Sequence, residues 1–474
     1  MGSGASSRSS SVGRPGPSQR LSAQDQRLKR WLGDNLWHPE CAGMGLTELA
    51  LQAVYSQERS QRIGNEPVVQ ALRELARYER ALHEDYFEQQ GVQSAQLGKS
   101  VNHRSMRYAK AAAIVRASAV RVTPDIRGGD LPFIGDVTAQ QIGDIIRTGT
   151  CAALDCFRAD VAVTDSRGRR RGDTVGAATR ASFHALPAVG QKTAKQWWDL
   201  GCRSLEHVKF AAQPGGPLGE GGAFPISPEQ RFSLGHRGDL LEPASAADID
   251  EMLGWVQRGL EAVSGTDGWL VEVVGGGARS SARHDADFLV THPSAPIEGV
   301  VLRLRDWLVE SEHLFPPGQA MCRVQARLLL TRIGWLREEH LKEASAAPSM
   351  QTLDRFDHIY GIARLDSGKA QRMDIIICPH EEWAFALVGW IGSRTFLRFM
   401  RQHAKDCGMY LTSHRLLRKV DGSSLLVPDE AAPTDCSGRE RWPPGWYPGR
   451  RVESQADVFA LLGMPYKEPH ERDA

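Results

Sequence analysis

With 474 residues, the chain is long enough for a large core and several subdomains. Its 58 basic and 57 acidic residues leave a formal charge of +1, so no global field attracts nucleic acid, and any such partner must be held by local basic patches. The eight cysteines include no Cys-x-x-Cys pair, which argues against a structural zinc and a secreted disulfide framework, and no apolar run reaches membrane-spanning length.

Residues 1–20 read as a disordered leader rich in Ser, Arg, Gly and Pro, although Met1-Gly2-Ser3-Gly4-Ala5-Ser6 also satisfies the short acylation pattern. Residues 21–65 carry helical patterns with two Trp and no visible chemistry. Over 66–155 the apolar residues Val68, Val69, Leu72, Leu75 and Ala76 recur at helical spacing, and Met106 to Ala119 is Ala-rich, which predicts a helical unit. Leu131-Pro132-Phe133-Ile134-Gly135 and Leu186-Pro187-Ala188-Val189-Gly190 repeat one Leu-Pro-x-x-Gly turn, each copy closing onto a helix start. The free amides at such a start, with Lys192 and Thr193 following Val189 and Gly190, form an anion site that can grip sugar-phosphate backbone without reading bases. A helix–turn–helix corner with no ligand is the plainer reading of one copy; two copies favour DNA. Between them lies the polar loop Arg167-Gly168-Arg169-Arg170-Arg171, within a second helical segment over 156–245. From 246 to 388 the pattern changes to helix, strand, helix, and residues 428–450, rich in Pro, Gly and Trp, look like an inserted loop.

The mixed segment holds the chemistry. In His284-Asp285-Ala286-Asp287-Phe288-Leu289-Val290, strand alternation points Asp285 and Asp287 to one face. Carboxylates so crowded repel unless a cation sits between them, and oxygen-only ligands favour Mg²⁺, with Mn²⁺ as the alternative. Asp374, in Arg372-Met373-Asp374-Ile375-Ile376-Ile377, heads a β-branched run that reads as a buried neighbouring strand and completes the set. Three carboxylates on adjacent strands can hold a metal pair for nucleotidyl transfer. Just upstream, Gly275-Gly276-Gly277-Ala278-Arg279 lets backbone amides approach a triphosphate while Arg279 neutralises charge. Downstream, Gly389-Trp390-Ile391-Gly392-Ser393-Arg394 leads into a predicted helix, Thr395–Lys405, on which Arg394, Arg398, Arg401 and Lys405 form one basic face. Such a face is usually just solvated; beside this Gly-Trp step, a template strand or a nucleotide phosphate could lie on it.

Together, the twin hairpins, the His-Asp-Ala-Asp-Phe-Leu-Val-Thr-His-Pro strand, Arg-Met-Asp-Ile-Ile-Ile, Phe-Ala-Leu-Val-Gly-Trp-Ile-Gly-Ser-Arg and the Leu-Leu-Gly-Met-Pro-Tyr ending resemble the X-family DNA polymerases, in particular the lambda, mu and terminal-transferase group. The resemblance runs from about residue 66 to the C-terminus. It implies an α+β fold: a helical DNA-end-binding domain over 66–155 and a fingers-like subdomain over 156–245, each with one helix-hairpin-helix motif, a nucleotidyltransferase palm with a mixed sheet over 246–388, and a small C-terminal α+β nucleotide-selection subdomain over 389–474. It further implies a nuclear, monomeric enzyme that adds nucleotides to DNA 3′ ends in gap filling and double-strand-break end joining. The expected partners are DNA ends or gapped DNA, deoxynucleoside and ribonucleoside triphosphates, and end-joining proteins, with no membrane; a monovalent cation at the hairpins is allowed.

By resemblance, Asp285 and Asp287 hold both metals and the triphosphate, and Asp374 also serves the primer 3′-hydroxyl. Gly275, Gly276 and Arg279 form the triphosphate loop, with His284, Gly389, Trp390, Gly392, Ser393 and Arg394 on the nucleotide side; Gly392-Ser393 is a step that the family often builds with a cis peptide. Gly135, Val189, Gly190, Lys192, Thr193, Arg398 and Arg401 face DNA. The chain also departs from the pattern. The triphosphate loop is one residue short, with Gly277-Ala278 for an aromatic–Arg pair, and Gln141 replaces the Schiff-base lysine of lyase-active members. Gly389 stands where lambda-type relatives carry a Tyr, so weak discrimination against ribonucleotides is expected. Residues 1–65 lack the pattern of a BRCT domain. The connection from Leu365 to Arg372, long in terminal transferase, is short and polar here and is expected to be flexible, which favours templated synthesis. Two other readings stand beside this one: template-independent terminal transfer, and a DNA-end-binding scaffold that has lost catalysis, which the retained carboxylates disfavour.

Overall fold

The first helices follow directly from the apolar periodicity. In the computed structural model, α1 (Glu66–Ala81) and α2 (His103–Ala117) pack together, burying Val68, Val69, Leu72 and Leu75 with Ala111, Ala112, Ile114 and Val115. The structure describes Gln26 and residues 63–82, 103–165, 167–279, 285–326, 356–418 and 452–472. The expected leader, His284 and the 428–450 insertion lie outside the described residues, as does nearly all of the 21–65 segment. Asn65 pins this helix pair: its buried amide donates to the Val115 and Val120 carbonyls at 3.2 and 3.1 Å and accepts from the Val122 N–H at 2.9 Å.

The twin Leu-Pro turns share one backbone solution. The residue after each proline takes a left-handed conformation, Phe133 at φ 59° and Ala188 at φ 62°, where a side chain normally costs energy. Each turn then ends on a glycine N-cap: Gly135 for α3 (Asp136–Thr148), and Gly190 for α6 (Gln191–Asp199). Their flanks differ. α5 (Ala177–His184) runs into the second turn, whereas the first is preceded by turns rather than a helix. Between them lie α4 (Ala152–Arg158) and a small hairpin of β1 (Val163–Thr164) and β2 (Arg170–Arg171). That arginine-rich hairpin is anchored to the helical unit, since Arg171 Nη1 lies 2.8 Å from Glu79 Oε1 on α1. The segment closes with α7 (Leu205–Ala211), α8 (Pro228–Gly235) and α9 (Arg237–Leu241).

A five-stranded mixed sheet follows, ordered β3 (Leu270–Val274), β4 (Ala286–Thr291), β7 (Ala370–Ile377), β6 (Asp357–Arg364), β5 (Arg323–Gln325). β4 and β7 run parallel and the other neighbours antiparallel. Alternation sorts the side chains. Ala286, Phe288, Val290, Met373, Ile375 and Ile377 pack beneath α10 (Ala246–Ser264) and α11 (Val300–Glu310). On the opposite face, Val274, Leu289 and Ile376 meet α12 (Trp383–Ile391). Covering both faces of a parallel pair explains why β4 reads as an almost unbroken apolar run.

Beyond the sheet, α13 (Arg394–Asp406), a hairpin of β8 (Met409–Leu411) and β9 (Leu416–Arg418), and α14 (Gln455–Leu461) complete the described chain. Phe396, Phe399 and Met400 of α13 and Phe459 of α14 share one apolar cluster with α1, α2 and α3, so the two ends of the described chain are packed together. Among the described residues no helix is long and apolar enough to cross a membrane.

Candidate active site

The parallel register of β4 and β7 pairs Asp287 with Asp374, and β6 sets Tyr360 opposite Asp374. Asp287 and Asp374 are both over nine-tenths buried. By strand alternation, Asp287, Arg372, Asp374, Tyr360 and His358 share this face, and Asp285, in the bend just before β4, joins them through Arg372. Arg372 Nη2 lies 3.4 Å from Asp285 Oδ2 and 3.9 Å from Asp374 Oδ2, an internal counter-charge inside the acidic group. Asp374 Oδ1 is buried with no hydrogen-bond partner. Burial, aided by Asp285 and opposed by Arg372, pushes the Asp374 carboxyl up to about 7. Burial raises Asp287 well above the carboxylate range too, with Asp285 and Asp374 adding to it and Arg372 and Arg279 opposing.

Such a face costs folding energy that a bound cation recovers. The residues fit a hard divalent ion: the donors are carboxylate oxygens, one of them buried and unpartnered. Even so, among the described residues no three His, Cys, Asp or Glu side chains form a ready-made ligand group. The Arg372 guanidinium reaches two of the three expected carboxylates, Asp285 and Asp374.

The glycine turn belongs to the same site. Gly275 takes φ 66°, and a methyl there would overlap Asp287 Oδ2, so only glycine lets the turn lie this close to the carboxylate. Its N–H donates to the Trp390 carbonyl at 3.0 Å, while Arg279 Nη1 donates to the Gly275 and Ile391 carbonyls, both at 2.7 Å. Arg279 thus caps the C-terminal carbonyls of α12 and fastens the turn to it, besides placing positive charge near Asp287. Beside Gly276 the space is open.

Three sequence expectations change here. The Gly392–Ser393 peptide is trans, as is every peptide among the described residues; Gly392 is extended, and Ser393 turns its hydroxyl to cap α13 at Phe396 N, 3.2 Å away. Gly389 does not leave a bare hollow, because an added Cβ would stand 2.7 Å from Ser413 Oγ. The β6–β7 connection is a tied turn, not a flexible one: Lys369 Nζ lies 3.1 Å from Asp248 Oδ2, and the Asp366 and Ala370 N–H groups donate to Glu251 and Asp239 at 2.8 and 3.2 Å.

Sequence reasoning gave no role to His358, Tyr360 and Ser413, nor to Arg372 within its motif. His358 is buried, stacked on Tyr360 with centroids 3.6 Å apart, edge-on to Trp390, and 4.0 Å from Asp374 Oδ2. Burial lowers it to about 3, so the ring is neutral. An alternating His-x-Tyr on β6, the strand immediately before the one that carries Asp374, was the available signal. The residues expected to face DNA stand elsewhere: Gly135 and Gly190 at helix starts, Val189 buried in the second turn, Lys192 exposed and Thr193 half-buried on α6, and Arg398 and Arg401 half-buried on α13. Gln141 donates to the Tyr108 hydroxyl at 3.1 Å.

The C-terminal residues 386–473 match the family model described as the DNA polymerase beta thumb. Over 393 residues the chain is 25% identical to human DNA-directed DNA/RNA polymerase mu, covering 78% of this chain and 65% of that protein. It is 26% identical to rat DNA polymerase lambda over 376 residues (78% and 52%) and 25% identical to chicken DNA nucleotidylexotransferase over 394 residues (78% and 63%). The chain therefore spans between about half and two thirds of these relatives' length. A mixed sheet carrying paired strand carboxylates, followed by this C-terminal unit, fits the fold of a polymerase-type nucleotidyltransferase. Over most of its length the chain is similar to X-family DNA polymerases.

Proposed function

We propose that the protein is a DNA-directed polymerase that adds nucleotides to DNA 3′ ends in gap filling and double-strand-break end joining in the nucleus. The observation that carries this is the in-register Asp287–Asp374 pair, buried on one face with an unpartnered oxygen and a glycine turn closed over it. Asp285, Asp287 and Asp374 would hold Mg²⁺, which when bound acidifies the attacking hydroxyl and offsets phosphate charge. Arg372 shields the carboxylates from one another until then, so its guanidinium must yield Asp285 and Asp374 to the incoming ligand. The open backbone at Gly276, with Arg279 fixed behind it, suits the approach of a triphosphate. His358, neutral and wedged between Tyr360 and Trp390, keeps that wall of the site dry.

Subdomain roles follow the same reading: hairpins at 131–135 and 186–190 for DNA backbone, the sheet for chemistry, and residues from 389 onward for nucleotide selection. The tied β6–β7 turn supports templated synthesis over the terminal-transfer alternative, since it is held against α10 rather than extended into the template's space. Ribonucleotide tolerance is part of the proposal, with Ser413 as the group packed beside Gly389. No Schiff base should form at Gln141, whose amide cannot serve as the amine; borohydride trapping on an incised abasic substrate would then give no adduct. The deciding experiment is primer extension with Mg²⁺ on gapped duplex and on single-stranded primer. Extension of the first well above the second supports the proposal, and equal tailing of both overturns templated synthesis.

A further inference from the structure

A second cluster of like charge lies on α1 and α13, two helices that border one shared apolar cluster. Arg80 sits in the last turn of α1, and Gln191 Nε2 donates to its carbonyl at 2.8 Å, tying that turn to the start of α6. From the other side, α13 brings up Arg394, Arg398 and Arg401, held near the first hairpin by the Phe133–Phe399 ring contact with centroids 6.2 Å apart. Arg80 and Arg394 are exposed, while Arg398 and Arg401 are half-buried. Among the described residues none of the four has an ion-pair partner, and Arg401 Nε is buried without an acceptor. Burial, then Arg394 and Arg398, push Arg80 down to about 10, and burial with Arg80 lowers His184 at the end of α5. Arginines gathered without acids raise the energy of the free protein and suit a polyanion.

We propose that Arg80, Arg394, Arg398 and Arg401 form one phosphodiester track across the seam between the N-terminal helical unit and the C-terminal unit, so that a single DNA strand lying in it bridges both. Arg394 to Arg401 spans about 10 Å of helix, too long for one phosphate and suited to successive phosphates of a strand. The proposal rests on the polymerase reading and adds to it a contact from α1.

The test is Arg80→Gln in the full chain, titrated by fluorescence anisotropy onto gapped duplex over a salt series. Affinity should fall about three- to tenfold at physiological salt, and the slope of log K against log salt should flatten by about 0.9. Arg80→Lys should restore most of the binding. Without DNA, the melting temperature of Arg80→Gln should hold or rise, because a repelled charge has gone. Wild-type affinity and slope in Arg80→Gln would overturn the track, as would a loss of binding that comes with a lower melting temperature. Binding is read without catalysis, so failure of wild-type protein to extend a primer would sink the polymerase reading while leaving this result to stand or fall alone.

Discussion

The carboxylate face of the sheet and the arginine seam are both clusters of one sign, built in opposite ways. On the sheet, Asp287 and Asp374 sit nearly dry on neighbouring strands, with half-buried Asp285 beside them and Arg372 as an internal partner. At the seam the arginines come from separate helices and reach water. A dry cluster needs a compact, strongly charged ligand and resists ionisation until it arrives. A wet one stays charged throughout and attracts an extended polyanion from a distance. The acids are therefore expected to govern chemistry and pH response, and the arginines affinity and salt response.

The strongest test of that division is Asp374→Asn. Losing about 4 kcal/mol of transition-state stabilisation would slow nucleotide addition about a thousandfold, whereas anisotropy should show gapped-DNA binding close to wild type. The same variant should melt higher than wild type in metal-free buffer at pH 8. The Asp374 carboxyl lies at about 7 in the fold against 3.8 as the ordinary value, so its cost to stability grows as pH rises from about 4 and is complete above about 7. At pH 4 the two melting curves should converge. Divalent ions should raise the wild-type melting temperature and leave the variant little changed; equal gains in both would remove Asp374 from the ion site.

Next in size is charge reversal at the other cluster. Arg398→Glu with Arg401→Glu should weaken gapped-DNA binding by about tenfold or more and flatten the salt slope by about 2, with templated extension falling more than untemplated addition. A change in pH profile without a change in salt slope would undo the contrast between the two regions. Arg372→Gln should then destabilise the metal-free protein by about 1–3 kcal/mol at neutral pH and make its stability more dependent on divalent ions, both read by thermal melts. The smallest effect concerns the turn beneath the seam. Ala188→Gly should stabilise by about 0.5–1 kcal/mol in urea unfolding, because glycine takes a positive φ without penalty. Phe133→Gly should not, because it discards the contact with Phe399.

Local pattern made some of this legible. Alternation alone placed Asp285 and Asp287 on one strand face, and the apolar run after Asp374 marked the adjoining strand. Helical spacing foretold that Arg394, Arg398, Arg401 and Lys405 would lie on one helix, α13. What escaped was long-range. Lys369 meets Asp248 across 121 residues, so a polar hexapeptide that reads as flexible is in fact pinned. Gly389 reads as an empty wall until Ser413 is seen against it. Arg372 carries no sign in the sequence that its charge turns toward Asp285 rather than solvent. The positive φ at Phe133 and Ala188 was hidden for another reason: neither residue is the glycine that usually advertises it.

The apolar cluster shared by α1, α2 and α3 with α13 and α14 has a consequence for biosynthesis. The N-terminal helices leave the ribosome with a greasy flank whose cover, beginning at Ala384, is more than 200 residues behind Ala177. At roughly 5–20 residues per second, that flank waits on the order of 10–40 s. During that interval the flank is open to wrong contacts, and an N-terminal fragment expressed by itself should be sticky where the full chain is sealed.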